Sequence, residues 1–327
     1  MRVAVTGAGG RLGRALIAAL ADAPFTGLSG PIAWDRTAFD LDRPETAIDL
    51  LQRDRPELVV HAAAWTDVDG AARDPELALT RNGRATGVLA EGCAEAGVDL
   101  IVVSTNEVFG AERTDGRGWR PDDPAAPANP YGASKLAGER AARAAYDAPR
   151  PTGGAAGSVR RRPGPALAVV RTAWLYGPPG NDFPSKIVLA ALRARAAGEV
   201  LKVVGDEFGS PTSSADLAEA IVERIGSGEI GGVVHYVNIG AVSRAAWAAA
   251  ILRAVALDVP IEEVPAATWI RASNPPRWAV LESSPLPSGE PMRPWTEALA
   301  DDVPFLTRLA TGEVPTGTAT AAPGSGR

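Results

Sequence analysis

Ser104-Thr105 closes an apolar run, and Tyr131-Gly-Ala-Ser-Lys135 follows it. Four positions apart on a helix, the Tyr131 phenol and the Lys135 ammonium share one face, so both reach a single reacting atom. An unperturbed phenol titrates near pKa ~10 and exchanges protons poorly at neutral pH. A neighbouring ammonium favours the phenolate and is expected to bring Tyr131 towards the working range. Thr105 would offer its hydroxyl to the same oxygen. The three groups together suit proton transfer at an oxygen whose carbon gains or loses hydride. Tyr-x-x-x-Lys also recurs on helices by chance, so its weight depends on what surrounds it.

What surrounds it is a nucleotide-binding pattern. The chain opens on a short apolar strand, Met1–Thr6, that runs into Gly7-Ala-Gly-Gly10-Arg11-Leu12-Gly13 and then an Ala/Leu-rich helix. The first glycine permits the tight turn, the second lets backbone N–H groups approach a pyrophosphate, and the third lets helix and strand pack closely. A further strand, 31–34, ends at Asp35-Arg36, with Asp35 placed 22 residues after Gly13. That is near the spacing at which an acidic side chain accepts from the adenosine ribose. Arg36 could instead receive a 2′-phosphate, so NADH and NADPH both stay open. Ala62, Ala63 and Ala64 leave room for a cofactor to lie against the backbone.

Strands and helices alternate: strand 2–6, helix 11–21, strand 31–34, helix 44–54, strand 57–61, helix 75–97, strand 100–104, helix 131–146 and strand 166–171. This alternation implies right-handed crossovers and an α/β fold, a Rossmann-type doubly wound parallel sheet covered on both faces. Ligands of such sheets bind beyond the carboxyl ends of the strands, and all the residues above fall at such ends. The expected organisation is an NAD(P)-binding domain over 1–170 and a smaller C-terminal α/β substrate-binding region over 171–310, interleaved with the Rossmann core. Residues 147–165 combine Pro, Gly and Arg without apolar periodicity and read as a mobile insertion, its Arg160-Arg-Arg162 run as solvated loop; 311–327 reads as a disordered tail.

Composition narrows the function classes. The chain has 327 residues and a net charge of −6, and no basic run alternates with aromatics, which argues against nucleic acid. One cysteine, Cys93, can form no internal disulfide and reads as core, and with only two histidines a transition-metal site is not expected. No apolar stretch approaches a membrane span and no leader is visible, so a cytoplasmic protein without membrane contact is expected. Association into a homodimer is left open. His61 and His235 read as packed strand residues, the latter in the second region. Thr66, Asp67 and Asp69 are divided between ligand contact and ordinary capping, and Asn82 between a backbone contact and solvent. Of Trp174 and Tyr176, one is expected to face a ligand and the other the core. The loop 205–212 is placed to recognise a sugar or base.

These residues together resemble the dTDP-4-dehydrorhamnose reductase family of the extended short-chain dehydrogenase/reductase superfamily, from residue 1 to about 310. The likeness rests on the Gly7/Gly10/Gly13 loop, His61-Ala-Ala-Ala-Trp-Thr66, Ser104-Thr-Asn-Glu-Val-Phe109, Asn129-Pro-Tyr-Gly-Ala-Ser-Lys-Leu-Ala-Gly-Glu139, Arg171-Thr-Ala-Trp-Leu-Tyr-Gly177 and Phe208-Gly-Ser-Pro-Thr212. The resemblance implies NAD(P)H-dependent reduction of the C4 ketone of a dTDP-4-keto-6-deoxyhexose. It implies Tyr131 as proton donor, Lys135 on the ribose, Thr105 on the carbonyl and Val103 beneath the nicotinamide. Thr105, Asn106 and Trp174 would then contact the sugar nucleotide. The family usually reads Ser-Thr-Asp-Tyr-Val-Phe where this chain carries Asn106 and Glu107, which alters the charge beside the substrate. The family's Arg-Pro-x-x-Ser-x-Leu stretch appears only loosely, around Arg271–Arg277. Two other readings share part of the pattern: a nucleotide-sugar epimerase or dehydratase that recycles NAD, and a non-catalytic regulatory subunit resembling that of methionine adenosyltransferase.

Overall fold

The computed structural model describes residues 1–110, 112–148 and 164–313. Its centre is a parallel sheet. The first half of the chain lays down β1 (Val3–Thr6), α1 (Arg11–Ala21), β2 (Ile32–Trp34), α2 (Thr46–Asp54) and β3 (Leu58–His61). Then come α3 (Val68–Arg73), α4 (Pro75–Ala78), α5 (Ala85–Ala96), β4 (Asp99–Thr105), α6 (Pro130–Asp147) and β5 (Leu167–Thr172). The second half adds β6 (Leu175–Tyr176), α7 (Phe183–Ala197), β7 (Leu201–Val204), β8 (Phe208–Gly209), β9 (Thr212–Ser213), α8 (Ser214–Ser227) and β10 (Gly232–His235). It ends with β11 (Val242–Ser243), α9 (Arg244–Ala254), β12 (Ile261–Val264), β13 (Trp278–Ala279) and α10 (Trp295–Ala310).

Six strands pair in the order β10-β5-β4-β3-β1-β2, every pairing parallel. The chain leaves β1 for β2 on one side and returns to β3 on the other, so a crevice opens where the order reverses, between the ends of β1 and β3. Because both faces are covered, the strands are apolar throughout: Val3, Val5, Leu58, Val60 and Ile101 pack under α1 and α8. Ala4, Val59, Leu100 and Val102 pack under the helices of the opposite face with Trp34, Leu89 and Cys93. Burial pushes the Cys93 thiol up to about 12, as suits a core residue. A separate core gathers Trp247, Ile251, Val188 and Leu306 beneath the short β12–β7 pair.

Three expectations are corrected by the fold. The helix expected over 75–97 is a continuous helical run interrupted by a π segment, Leu79–Arg84. The wider turn there delivers Asn82 to the neighbouring loop, where its Oδ1 accepts from Trp65 N at 2.8 Å and its Nδ2 donates to Trp65 O at 3.0 Å and Ser134 Oγ at 3.1 Å. His235 was expected in the second region, yet β10 pairs with β5 and belongs to the main sheet. The helix carrying Tyr131 runs on to Asp147, the first residue of the expected insertion. Residues 149–163 of that insertion and 314–327 of the expected tail lie outside the described residues.

Candidate active site

Glycine geometry builds the near wall. Gly7 has φ +66°, and a Cβ there would stand 2.8 Å from Ala63 Cα, so the β1 and β3 ends approach as only glycine allows. A Cβ on Gly13 would stand 2.1 Å from Gly7 O, so α1 sits directly on the turn. Gly10 is the N-cap of α1 and supplies no side-chain acceptor, which leaves the first-turn N–H groups open at the crevice.

The far wall comes from β4 and α6. Thr105 ends β4, and its hydroxyl accepts from Glu107 N at 3.2 Å, starting the short 3-10 turn Asn106–Val108. Asn129 caps α6 by accepting from Gly132 N at 2.9 Å, with Pro130 in the first turn, so Tyr131 and Lys135 project from the start of the helix. Thr105, Tyr131 and Lys135 are 6%, 8% and 4% exposed. They line one cleft of about 480 Å³ with Gly7, Gly10 and Gly13. Arg11, Leu12, Ala62, Ala64, Val103, Asn106 and Trp174 line it as well. Ala63, Asp35 and Arg36 are not part of that lining; Ala63 N donates to Thr6 Oγ1 at 3.1 Å. Asp35 and Arg36 are exposed at the end of β2, and Asp35 Oδ1 accepts from Thr37 N at 2.9 Å and Ala38 N at 3.1 Å.

Electrostatics in the cleft differ from the expectation drawn from spacing. The Tyr131 phenol is raised above its ordinary value, chiefly by burial and further by the charge of Glu107, while a hydrogen bond shared with Thr105 opposes the rise. Spacing predicts a lowered phenol, but desolvation of the phenolate dominates and the Glu107 charge adds to the rise. Lys135 is itself lowered by burial to about 8, with Glu139 holding it up. Behind them lies a buried network: Arg171 Nε and Nη2 donate to Glu139 Oε1 at 3.0 Å and Oε2 at 2.8 Å, and Ser104 Oγ donates to Oε1 at 2.5 Å. His61 is wholly buried between Thr6 Oγ1, 2.8 Å from Nδ1, and Thr86 Oγ1, 3.0 Å from Nε2. Burial lowers it to about 3, so it stays neutral and packed.

The second half of the chain supplies the outer wall. Arg11 crosses to it, donating to Gly177 O at 3.0 Å and Gly180 O at 2.6 Å, with Asp182 at 3.7 Å. Tyr176 is buried, whereas Trp174 borders both this cleft and an adjoining cavity of about 720 Å³. A Cβ on Gly209 would stand 2.3 Å from the Trp174 ring, so the loop 205–212 packs directly on it. The Arg244 guanidinium lies 3.5 Å from the Trp174 ring centroid and 4.9 Å from that of Phe183. Lys186 and Arg271 join Arg244 around the larger cavity, and Arg244 and Arg271 both pair with Glu207. Sequence reasoning missed Arg244 and Lys186, because their partners are brought from distant segments and no local spacing marks them. Thr66 lines the cleft, Asp67 caps α3 by accepting from Gly70 N at 2.9 Å, and Asp69 accepts from Ser273 N at 2.9 Å.

With this geometry in place, comparison with known proteins decides the family. The model of the RmlD substrate binding domain matches residues 1–307. The chain belongs to that family. Members similar to it include the dTDP-4-dehydrorhamnose reductase of Mycobacterium tuberculosis, 35% identical over 306 residues, covering 91% of each chain. The enzyme of the same name from Mycolicibacterium smegmatis is 36% identical over 323 residues, 96% of this chain and 89% of the relative. Among solved structures, a dTDP-4-dehydrorhamnose reductase from Clostridium acetobutylicum superposes with a TM-score of 0.80 at 27% identity, over 94% of this chain and 99% of the other. One from Bacillus anthracis, in complex with NADP, gives 0.78 at 28% identity, over 93% and 99%. In this RmlD-family chain, among the described residues, no group of three or more His, Cys, Asp or Glu is arranged to hold a metal ion, and no helix is long and apolar enough to cross a membrane.

Proposed function

We propose that this protein is an NAD(P)H-dependent reductase of the C4 ketone of a dTDP-4-keto-6-deoxyhexose, as in dTDP-L-rhamnose or related deoxysugar synthesis. The observation that carries the proposal is the convergence of Thr105, Tyr131 and Lys135 on the cleft walled by Gly7, Gly10 and Gly13. The cradle fits a dinucleotide: the close Gly7 approach and the uncapped α1 N-terminus leave space and N–H donors for a pyrophosphate. A bound NADPH or NADH supplies the hydride. Lys135 holds the ribose from the floor of the cleft. Thr105 and Tyr131 hold the ketone oxygen, and as the carbon is reduced Tyr131 delivers its proton to the forming alkoxide. A phenol kept protonated by burial serves this direction of the reaction, because it must give a proton and not take one. The adjoining 720 Å³ cavity, with Trp174 at its border and Lys186, Arg244 and Arg271 around it, suits the base and diphosphate of a nucleotide sugar. Asp35 and Arg36 at the end of β2 would meet the adenosine ribose. With the activity go a cytoplasmic location and no nucleic-acid partner, each proposed on the sequence alone, as are the 1–170 and 171–310 domain limits.

The test is oxidation of NADPH on addition of a dTDP-4-keto-6-deoxy sugar. Turnover only with added reduced cofactor is expected. Turnover with retained NAD alone would point to an epimerase or dehydratase, and no oxidation with any keto-sugar to a binding subunit. Tyr131→Phe is expected to lower kcat by about 100-fold or more with NADPH affinity little changed; near-normal rates would refute the assignment.

A further inference from the structure

The keto-sugar reductase reading sets Asn106 against the sugar nucleotide without saying which group it meets, and gives Glu107 no work. Asn106 and Glu107 form the turn directly after Thr105 and line the cleft with Tyr131 and Lys135. Asn106 is 3% exposed; its Oδ1 accepts from the Thr105 hydroxyl at 3.3 Å, and its Nδ2 has no partner among the described residues. A buried donor left unsatisfied is costly and calls for an explanation. An idle amide beside the reacting oxygen points to an acceptor on the ligand.

Glu107 is fixed but not neutralised. Its Oε2 accepts from Asn129 Nδ2 at 2.6 Å, so the residue that caps the Tyr131 helix also holds this carboxyl. A Cβ on Gly132 would stand 2.0 Å from Glu107 O, which leaves the turn little freedom to move. The cations that face it, Arg244 of α9 and Arg271 of the 265–277 segment, are paired with Glu207 instead. Burial, with the Glu207 charge, raises the Glu107 carboxyl above its ordinary range, while Asn129, Arg244 and Arg271 pull against the rise. The Asn129 contact engages Oε2 and leaves the other carboxyl oxygen for a ligand hydroxyl.

The substrate's own chemistry limits what this pair can meet. In a 4-keto-6-deoxyhexose the reacting carbon lies between C3, which bears a hydroxyl, and C5, whose neighbours are the ring oxygen and a methyl group. Of the groups flanking the ketone, only the C3 hydroxyl can both accept from the Asn106 amide and donate to a Glu107 carboxyl oxygen. We propose that Glu107 and Asn106 recognise the C3 hydroxyl of the sugar and make the enzyme selective for 4-keto-6-deoxyhexoses that retain it over their 3-deoxy counterparts. This rests on the reductase reading above, and its test is built to fail separately.

The full-length protein is assayed with NADPH against dTDP-4-keto-6-deoxy-D-glucose and its 3-deoxy analogue. The wild type is expected to favour the 3-hydroxy sugar by about 100-fold or more in kcat/KM, because removing that hydroxyl leaves buried polar groups unpaired. Glu107→Gln, neutral and of the same shape, is expected to keep most of the preference, and Glu107→Ala and Asn106→Ala to bring it within about tenfold with the KM for NADPH unchanged. Equal use of the two sugars by the wild type, or an unchanged ratio in a folded Glu107→Ala or Asn106→Ala, overturns the inference. Should Glu107→Ala not fold, the wild-type ratio and Asn106→Ala still decide. No NADPH oxidation with either sugar, nor with dTDP-4-dehydrorhamnose, overturns the reductase reading instead.

Discussion

Glu139→Gln turns Arg171 into a buried cation without its counter-ion. The wild-type pair is 0% and 4% exposed, bonded twice, at 3.0 and 2.8 Å, with Ser104 adding a third donor to the same carboxylate. Removing one member of such a pair costs about 3–5 kcal/mol, most of it from stranding the other charge. An unfolding entropy of about 2.1 cal/mol/K per residue converts this into a Tm lower by roughly 4–7 °C. The variant also has a functional signature. Glu139 is the group that holds Lys135 up against burial, so its neutralisation moves Lys135 below its present value of about 8. Any limb of the rate profile that follows the Lys135 ammonium should therefore move to lower pH. Circular dichroism melts and NADPH oxidation across pH 6 to 10 read the two effects. Replacing both partners, as Glu139→Leu with Arg171→Met, should cost less than the sum of the single changes, since neither charge is stranded. A Glu139→Gln protein within about 1 kcal/mol of the wild type, or with an unmoved pH limb, would refute the argument.

In the wild type, kcat/KM is expected to fall as pH rises through about 8, where Lys135 loses its proton; an activity flat to pH 10 would count against a working ammonium. Gly13→Ala would set a Cβ 2.1 Å from Gly7 O, so NADPH affinity should drop at least about tenfold in a fluorescence titration, as a displaced α1 N-terminus requires. Asp302 is buried and raised to about 7, so its folded form holds a proton that the unfolded chain releases near 3.8. Stability from this group is present at acid pH and lost as pH rises through 7. Asp302→Asn should accordingly be more stable than the wild type at pH 8, by up to about 4 kcal/mol, and the gap should close towards pH 5; urea titrations at the two values check the sign.

Much of the site was legible because its grammar is local. Gly7, Gly10 and Gly13 act within a single strand-turn-helix, and Tyr131 and Lys135 within one helical turn, so spacing alone places them. Trp174 and Tyr176 were separable by strand alternation only up to which one faces inward. Electrostatics were not legible: the lowered phenol expected of Tyr131 fails because burial, a property of the whole fold, and the Glu107 charge both raise it. Asn82 was ambiguous for a similar reason, since only the π segment shows which backbone groups it reaches.

Sequence by itself determined the alternation of strands and helices, the dinucleotide loop and the helix bearing the phenol and ammonium, because each is written in neighbours a few positions apart. Tertiary structure decided what no such spacing encodes. It brought β10 into the main sheet, set Arg244 on Trp174, paired Arg171 with Glu139, and left Glu107 and Asn106 facing the cleft beside Thr105. The pairings among these join residues tens of positions apart, and their energies depend on how much water the finished fold removes.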